Sequence, residues 1–376
     1  MKNKKIAIIG KPGHISDSYN KSIEELNKEV GLNTGNLAFW YAMNEHIEGE
    51  KDYFGWGVDP KYLKENYDVL VFPAANQLYP GWDLSILADL FEKADLPLII
   101  CGLGAQAKNV GEKLSFKPGS KRFMKVISER AVAVGVRGDY TADVLNQNGI
   151  KNIEVIGCPS NFINYSPNLG VENAAKLGSL KDIQRIALNI DITESLSEKV
   201  STMFNWSIGR DVEVINQAPF ELLQLAHHST KQCNPESINR IRNILAPGVS
   251  TNIFTKFVQQ KFSTYFNTEE WMYKLKRFDL SIGTRMHGNM LAWQAGTPCI
   301  LLPHDSRLTE LVEIMQLPKF SLDKVHSKTT LESVVNRVEF DATKYDKSRQ
   351  VLAKRYLKIL EDTNVGVNPQ LQAFVK

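Results

Sequence analysis

Short apolar runs alternate with stretches of helical periodicity along the chain. In the first half, apolar runs of strand length predict β-strands at residues 5–9, 68–72, 97–101, 131–136 and 153–157. Apolar positions spaced by three and four residues predict helices near 22–29, 84–93, 121–129 and 141–147. Strands that alternate with helices are typical of a mostly parallel sheet covered by helices, so we predict the α/β class.

The second half repeats this alternation after a polar, proline-containing connector at residues 161–168. Strands are predicted at residues 185–190, 212–216, 280–283 and 298–302, with helices near 219–226 and 269–275. Two later segments, beginning near residues 307 and 352, place their apolar residues on one helical face. The periodicity is weakest over residues 194–267. The pattern therefore predicts a second doubly wound domain.

The length of 376 residues supports two domains, because a single hydrophobic core stops growing at about 250–300 residues. We predict an N-terminal Rossmann-like domain over residues 1–170, a C-terminal Rossmann-like domain over 171–345 and a closing helix over 346–376, with the boundary near 160–182. Two domains of similar size imply a cleft between them, which is a common place for a ligand.

Composition and charge exclude several classes of protein. The chain has 45 Lys and Arg against 42 Asp and Glu, and a net charge of +3 is too small to indicate a nucleic-acid partner. No apolar run approaches the ~20 residues of a membrane span, and the run after Lys5 is shorter than the ~7–15 apolar residues of a signal peptide. Four cysteines form no C-x-x-C pair, which favours buried, reduced thiols; they are Cys101, Cys158, Cys233 and Cys299.

Two glycine-containing stretches bear on phosphate binding. Gly10-Lys11-Pro12-Gly13 lacks the spacing of a P-loop. Residues 102–107 match G-x-G-x-x-A after a strand, but the basic stretch from Lys108 to Lys125 opens where a dinucleotide site needs a helix. We interpret these glycines as positions where the backbone can approach a ligand or a neighbouring loop, and we favour this interpretation over NAD binding. The basic stretch is explained by a solvated loop, with a diphosphate-lipid acceptor or an anionic bilayer as the alternative.

The strongest local signal is a strand-to-helix turn that contains Arg285 and His287. The predicted strand ends near Ile282, and a helix begins near His287 and stops at Gly296. The free N–H groups and positive dipole of the helix favour an anion, Arg285 offers a fork for carboxylate or phosphate oxygens, and His287 can donate a proton or a hydrogen bond near neutral pH. The alternative is that Arg285 pairs with a structural carboxylate and His287 caps the helix.

Arg137 occupies a similar turn in the first half. It follows the strand predicted at 131–136 and precedes a helix for which Asp139 or Thr141 is available as the cap and Gly149 as the stop. A lone arginine is usually a surface ion pair. Two cations at strand ends of two domains can nevertheless face each other across one cleft, and their pairing predicts a shared anion site.

Several of these motifs resemble one known family. The segment from Gly135 to Pro159 is similar to the part of polysaccharide pyruvyl transferases that reads strand, Val-Arg-acid, helix, Gly-Ile, strand, Gly-acid-Pro. Thr284-Arg285-Met286-His287, with Gly296-Thr297-Pro298 and His304-Asp305-Ser306-Arg307, resembles the Arg-x-His block of that family and the loop after its next strand. With residues 33–36 and 97–106, the resemblance extends in order from about residue 33 to about residue 318.

The resemblance implies a GT-B-like fold, in which two Rossmann-like domains face a central cleft and the last helix packs back on the first domain. It also implies phosphoenolpyruvate as the donor, whose pyruvyl group becomes a ketal on two hydroxyls of a sugar in a surface glycan or its lipid-linked precursor. Arg137 and Arg285-Met286-His287 would map to the donor-binding residues of the family. Two departures are the stretch 73–77, where the family often has a glycine-rich turn, and Gly138, which displaces the acid after Val-Arg.

The chemistry of this donor fits the residues. Phosphoenolpyruvate carries a carboxylate and a phosphate, which two arginines and a helix N-terminus can hold. We assign Arg137, Arg285 and His287 to catalysis, with His287 as phosphate ligand or general acid. Thr284, Met286, Gly288 and Asn289 are expected to complete the donor site. Acid, base or acceptor-binding candidates are His14, Asp139, His304, Asp305, Asn36, Asn76, Gln106, Trp56 and Trp82, of which the two tryptophans, each beside glycine, are candidates for stacking on a sugar.

We therefore predict a cytoplasmic pyruvyl transferase of bacterial cell-surface polysaccharide synthesis, with a sugar, oligosaccharide or lipid-linked glycan as acceptor. We expect no cofactor, no metal and at most peripheral association with the inner face of the cytoplasmic membrane. A GT-B nucleotide-sugar glycosyltransferase and a catalytically silent glycan- or phosphate-binding protein are the alternatives. Phosphate release from phosphoenolpyruvate, sugar-nucleotide turnover, and binding without turnover distinguish the three.

Overall fold

The computed structural model describes residues 4–107, 111–229 and 233–376 of the chain. Within these residues, a six-stranded and a five-stranded sheet, both wholly parallel, form two α/β domains. The elements of the first domain are β1 Lys5–Ile9, α1 Ile23–Glu29, α2 Asn36–His46, β2 Ile47–Glu48, β3 Glu50–Phe54, α3 Pro60–Asn66, β4 Val69–Pro73, α4 Ser85–Ala94, β5 Leu98–Leu103, α5 Pro118–Arg130, β6 Ala131–Val136, α6 Asp139–Gln147 and β7 Ile153–Val155.

The first sheet has the strand order β3-β1-β4-β5-β6-β7. Its central strands β4 and β5 are buried along their whole length, as expected for parallel strands covered on both faces. Alternate residues of β1 and β4 enter two different cores. Ile9 and Phe72 pack with α4 and α5 on one face, whereas Ile8 and Val71 pack on the other face, where α2 lies.

A 3₁₀ turn, Pro159–Phe162, leads to the second domain. The remaining elements are α7 Leu169–Ser179, β8 Arg185–Asn189, α8 Ser197–Asn205, β9 Asp211–Ile215, α9 Phe220–Ala226, α10 Pro235–Leu245, α11 Thr251–Lys261, β10 Phe262–Ser263, α12 Thr268–Leu275, β11 Leu280–Gly283, α13 Met286–Gln294, β12 Cys299–Leu301, α14 Ser306–Met315, α15 Leu331–Val335, α16 Ala342–Asp362, β13 Gly366–Val367 and α17 Pro369–Val375. The second sheet has the order β10-β9-β8-β11-β12.

The last three elements return to the first domain. Leu352, Tyr356 and Leu360 of α16 join the core that contains Ile8 and Val71, so this helix completes one face of the first sheet. Strand β13 pairs antiparallel with β2, and α17 closes the same core. The architecture confirms the predicted fold class, with two Rossmann-like domains in a GT-B-like arrangement and a C-terminal helix on the first domain.

The structure also corrects several element predictions. The strands predicted from buried apolar runs are present within one or two residues of their expected ends. Strand β3, with the charged sequence Glu50-Lys51-Asp52, was not predicted because it is the half-exposed edge of its sheet. The zone placed at the domain boundary contains α7, whose Leu169 and Leu177 are buried. The helices α2, α3, α8, α10 and α11 were not predicted either.

The second half of the basic stretch is helical, because α5 begins at Pro118. Lys117 is the N-cap of α5, and Lys121 and Lys125 are exposed on that helix, whereas Lys108 lies outside the described residues. No helix in the described ranges is both long enough and apolar enough to cross a membrane.

Candidate active site

A cavity of about 130 Å³ lies between the two domains, where strands of both sheets end. We call it the anion pocket. The first domain contributes Asn33, Asn36, Ala75, Asn76 and Arg137; the second contributes Asp191, Gln217, Thr284, Arg285, Met286, His287, His304, Asp305, Arg307, Leu308 and Leu311. Arg137 and Arg285 follow β6 and β11, respectively, so the two arginines predicted to face each other line the same pocket.

Arg137 is buried, with 3% of its surface exposed, and is held by the first domain. Its Nε donates to the carbonyl of Gly102 at 2.8 Å, and Nη1 donates to Oδ1 of Asn76 at 2.6 Å. Its Nη2 is buried and has no hydrogen-bond partner among the described residues. A Cβ at Gly104 would lie 2.8 Å from Cδ of Arg137, which supports the interpretation that the glycines of 102–107 allow a close backbone approach.

The stretch that departs from the glycine-rich family turn supports this arginine. Ala75 and Asn76 both line the pocket, and the Ala75 amide donates to Oε1 of Gln77 at 2.5 Å. Side-chain hydrogen bonding of Gln77 to the backbone thus shapes the turn that presents Asn76 to Arg137. The departure from the family pattern leaves the setting of Arg137 intact.

Arg285 is the N-cap residue of α13 and pairs with a carboxylate of its own domain. Its Nη2 donates to Oδ1 of Asp191 at 2.8 Å, while its Nε is buried and unpartnered within the described chain. His304 lies on the other oxygen of Asp191, with Nε2 at 3.5 Å from Oδ2. Burial opposes ionisation of Asp191, but the His304 hydrogen bond and the charges of Arg285 and His304 outweigh it and lower the pKa of this carboxyl.

His287 lies in the first turn of α13 at the meeting point of the two domains. Its Nε2 is 3.7 Å from Sγ of Cys158, and its ring packs on Phe39 with centroids 5.3 Å apart. Burial, and then the nearby charge of Arg137, lowers the pKa of His287 to about 3. The ring is therefore neutral at pH 7 in the free protein, which corrects the expectation of a proton donor poised near neutrality.

Arg307 is a third cation of the pocket, which the sequence analysis did not select. It lies in the first turn of α14, its Nε donates to Oδ2 of Asp305 at 2.7 Å, and its Nη1 donates to Oε1 of Gln106 at 3.2 Å. Asp305 is already occupied, because its Oδ1 also accepts the Leu308 amide at 2.9 Å as the N-cap of α14. These contacts make Asp305 a poor candidate for a general base.

Unused donors from both domains converge on this pocket. The buried side-chain donors without a hydrogen-bond partner in the described part of the protein include Arg137 Nη2, Arg285 Nε and Gln217 Nε2, and all three residues line the pocket. A buried donor left unpaired costs about 1–3 kcal/mol, so these donors favour a ligand with several acceptor oxygens. Guanidinium donors favour anionic acceptors, and Arg137, unlike Arg285 and Arg307, forms no ion pair within the described residues, so we expect the ligand to be an anion.

A larger groove opens next to the anion pocket. Its volume is about 570 Å³, and it shares Asn33, Asn36, Ala75, Asn76 and Arg307 with the pocket. We call it the aromatic groove, because Phe39, Trp40, Phe54, Trp56, Phe72 and Trp82 line it. Trp56 and Trp82 keep 42% and 48% of their surface exposed, which leaves their faces available to a ligand. Gln106 also lines this groove.

The structure leaves four of the candidate residues away from these cavities. His14 is exposed and bridges the backbone of Asn267, and Asp139 is the first residue of α6; neither lines the pocket or the groove. Gly288 is buried, and a Cβ there would lie 1.8 Å from Oδ1 of Asn189. Asn289 is buried as well and donates to the carbonyl of Arg285 at 2.8 Å, which steadies the turn from behind.

Sequence reasoning missed Asp191, Gln217 and Arg307. A signal existed for the first two, since each stands two residues beyond the end of a strand, β8 and β9, and both strands lie on the same side of β11 in the sheet. Asn33 had been quoted only as part of the family resemblance. For the described residues, no group of three or more His, Cys, Asp or Glu side chains is placed to hold a metal ion, and metal independence stays a prediction.

Asp191→Asn is expected to destabilise the free protein by about 1–3 kcal/mol, because Arg285 loses its buried counter-charge. Since folding lowers the pKa of Asp191, its contribution is present at neutral pH and is lost only as the pH falls below the ordinary carboxyl range. Added phosphate should raise the Tm of the variant more than that of the wild type, because the anion replaces the missing charge. Thermal unfolding with and without phosphate checks this; an equal phosphate effect in both proteins contradicts it.

The fold and the site define a two-domain, GT-B-like protein with an anion pocket in its interdomain cleft. The model of the family described as polysaccharide pyruvyl transferase matches residues 33–306. The chain belongs to the polysaccharide pyruvyl transferase family.

Several solved structures align with most of the chain at low sequence identity. A putative UDP-N-acetylglucosamine 2-epimerase from Listeria monocytogenes is 13% identical, with coverage of 96% of this chain and 98% of that chain and a TM-score of 0.42. A UDP-GlcNAc 2-epimerase from Methanocaldococcus jannaschii is 12% identical, with coverage of 95% and 99% and a TM-score of 0.42. The wall teichoic acid polymerase TagF, H444N variant, is 12% identical, with coverage of 96% and 89% and a TM-score of 0.42. No curated protein matches the chain significantly.

Proposed function

We propose that this protein transfers the pyruvyl group of phosphoenolpyruvate to two hydroxyls of a sugar and so forms a ketal in the synthesis of a bacterial cell-surface polysaccharide. The observation that carries the proposal is the convergence of unpaired donors from both domains on a small pocket that opens into an aromatic groove. A compact, multiply charged donor suits the pocket, and a glycan suits the groove. Family membership supports the same reaction.

The donor fits the pocket with its two anionic groups held apart. The phosphate would lie at the N-terminus of α13, where Arg285 and free backbone N–H groups attract it. The carboxylate would take the free Nη2 of Arg137 from the other domain. Because the two groups come from different domains, the bound donor would hold the cleft closed.

Ketal formation moves two protons and releases one phosphate. One sugar hydroxyl adds to the central carbon of the donor while its methylene carbon gains a proton; the second hydroxyl then displaces phosphate, which leaves with the remaining proton. His287 would contact the leaving phosphate as a neutral hydrogen-bond donor, and the bound dianion would raise its pKa from about 3 and so favour protonation. The group best placed as base is His304, since its Nε2 faces Asp191 and its Nδ1 is free.

The acceptor would lie in the aromatic groove. The groove is several times larger than the pocket, and two tryptophan faces along its wall suit an oligosaccharide better than a single sugar. Phosphoenolpyruvate is an intracellular metabolite, so we place the reaction in the cytoplasm. A lipid-linked acceptor would bring the protein to the inner face of the membrane.

Trp56→Ala and Trp82→Ala are each expected to raise the KM for an oligosaccharide acceptor about tenfold, because each removes a stacking face of roughly 1 kcal/mol or more. The KM for phosphoenolpyruvate should change little. Tyr273→Ala is the matched control, because Tyr273 is 73% exposed on α12 and lines neither cavity. Steady-state kinetics with each substrate varied in turn measures both constants. An unchanged acceptor KM in both tryptophan variants would remove the groove from acceptor binding.

The proposed reaction is tested by phosphate release from phosphoenolpyruvate in the presence of candidate glycans, followed by mass spectrometry of the glycan product. A gain of one pyruvyl ketal supports the proposal. Turnover of a sugar nucleotide instead would identify a glycosyltransferase, and binding of phosphoenolpyruvate or glycan without turnover under any condition would identify a binding protein.

A further inference from the structure

A carboxylate from the second domain reaches the turn that carries Arg137. Glu310 of α14 is buried, with 6% of its surface exposed. It accepts hydrogen bonds from the backbone N of Thr141 at 2.8 Å and from Oγ1 of Thr141 at 3.0 Å. Thr141 belongs to α6, which begins two residues after Arg137. One acidic side chain thus connects the two domains beside the anion pocket.

Glu310 acts as a helix cap from outside the helix. The Thr141 amide lies in the first turn of α6, where N–H groups have no acceptor in their own helix, and the N-cap residue is Gly138, which has no side chain. Asp139 and Thr141 had been the expected caps; the structure shows that the other domain provides the cap. Thr141 Oγ1 also accepts the Ala105 amide at 3.0 Å, so the contact extends to the loop after β5.

Gly138 makes room for this carboxylate. A Cβ at position 138 would lie 2.3 Å from Cγ of Glu310. The backbone of Gly138 is extended, with φ of −174°, a conformation open to any residue, so the requirement for glycine comes from Glu310 alone. Gly138, which departs from the Val-Arg-acid pattern of the family, is therefore the residue against which Glu310 of the second domain packs.

The contact bears directly on the spacing of the cations. Arg137 is anchored to the end of β5: its Nε donates to the carbonyl of Gly102 at 2.8 Å, and its backbone N donates to the carbonyl of Leu103 at 2.9 Å. On the other side, α14 carries Arg307 into the pocket one turn before Glu310. The docking of α14 on α6 therefore sets how closely the arginines of the two domains approach each other.

We propose that Glu310 is a positioning residue that locks the closed cleft and sets the distance between Arg137 and the cations of the second domain. The identity of the ligand in this inference rests on the proposed function. Loss of the lock reduces the population of the binding-competent form, so it weakens donor binding in proportion without removing any group that touches the donor.

The test compares Glu310→Ala with the near-isosteric Glu310→Gln in the full-length protein. Glu310→Ala is expected to raise the Kd for phosphoenolpyruvate about tenfold, in line with the loss of a buried cap, with a smaller effect on kcat. Glu310→Gln should stay within about threefold of wild type, because its amide oxygen still accepts the Thr141 amide and its NH₂ can donate to Oγ1. Glu313→Gln, on the same helix and with 58% of its side chain exposed, is the control and should bind like wild type.

A second pair of variants tests the steric relation. Gly138→Ala alone should weaken phosphoenolpyruvate binding about as much as Glu310→Ala, because it displaces the carboxylate. The double variant G138A/E310A should bind no more weakly than either single variant, since the clash and the lock disappear together. Independent, additive losses would overturn the proposal.

Amide exchange at Thr141, measured by NMR without ligand, separates this inference from the proposed function. Slow exchange in the wild type and in Glu310→Gln, with fast exchange in Glu310→Ala, supports the lock even if phosphoenolpyruvate is the wrong ligand. A protected Thr141 amide in Glu310→Ala, or a Glu310→Gln variant as weak as Glu310→Ala, overturns it. Failure of the wild type to bind phosphoenolpyruvate overturns the proposed function alone.

Discussion

Arg137→Gln is expected to lower kcat/KM for phosphoenolpyruvate by about 10²–10⁴-fold, the cost of roughly 3–5 kcal/mol that follows when a buried charge partner is removed. In the proposed function Arg137 is the cation of the first domain that binds the donor, through an Nη2 that has no hydrogen-bond partner among the described residues. Glutamine fills part of the space, but it carries no charge and cannot donate hydrogen bonds to Gly102, Asn76 and the donor at the same time. Steady-state kinetics and calorimetric binding of phosphoenolpyruvate measure the loss.

The same variant has a second, spectroscopic readout. The charge of Arg137 helps to lower the pKa of His287, so this pKa should rise in Arg137→Gln and rise less in Arg137→Lys, which keeps the charge. Arg122→Gln is the control, because Arg122 is paired with Asp89 on the surface of α5, away from the pocket. If Arg137→Gln binds phosphoenolpyruvate with the affinity of the wild type, residues of both domains do not hold the donor together.

His287→Ala is expected to lower kcat by about 10²–10⁴-fold while phosphoenolpyruvate still binds within a few-fold of wild type, the pattern of a group that acts mainly in the transition state. The two arginines proposed to hold the donor remain in this variant, and we expect the small side chain at the start of α13 to preserve the fold. Phosphate release under saturating donor and acceptor measures the effect.

The control for this loss is His326→Ala, because His326 is exposed and lines neither the pocket nor the groove. The fold of both variants is compared by thermal unfolding. If His287→Ala turns over at the wild-type rate, His287 has no part in the reaction. If it loses donor binding as severely as turnover, its role is donor recognition and not transition-state stabilisation.

The parts of the site that lie close together in sequence could be predicted. Arg285 and His287 share one turn between a buried strand and a helix, and the apolar run of β11 with Gly296 after α13 marks both boundaries. Arg137 stands in the same relation to β6. For these residues a local pattern predicts a position at the carboxyl edge of a parallel sheet, and in both domains the residues lie at that edge.

Residues that depend on strand order could not be selected in the same way. Asp191 and Gln217 reach the pocket because β8 lies next to β11 in the sheet and β9 lies next to β8, and an amino-acid pattern does not reveal this order. The role of Glu310 could not be predicted from its sequence neighbours, because its partner Thr141 is in the other domain. Charged edge strands such as β3 also lack the apolar run by which a central strand is found.

The C-terminal elements pack on the first domain, and this has a consequence for folding during synthesis. Helix α16 and the two elements after it complete one face of the first sheet, yet they are translated last. The first domain is therefore synthesised with the face that contains Ile8 and Val71 only partly covered, by α2, until the second domain and α16 have followed. The two halves therefore complete their folding together, and separately expressed halves would each expose their part of this shared core.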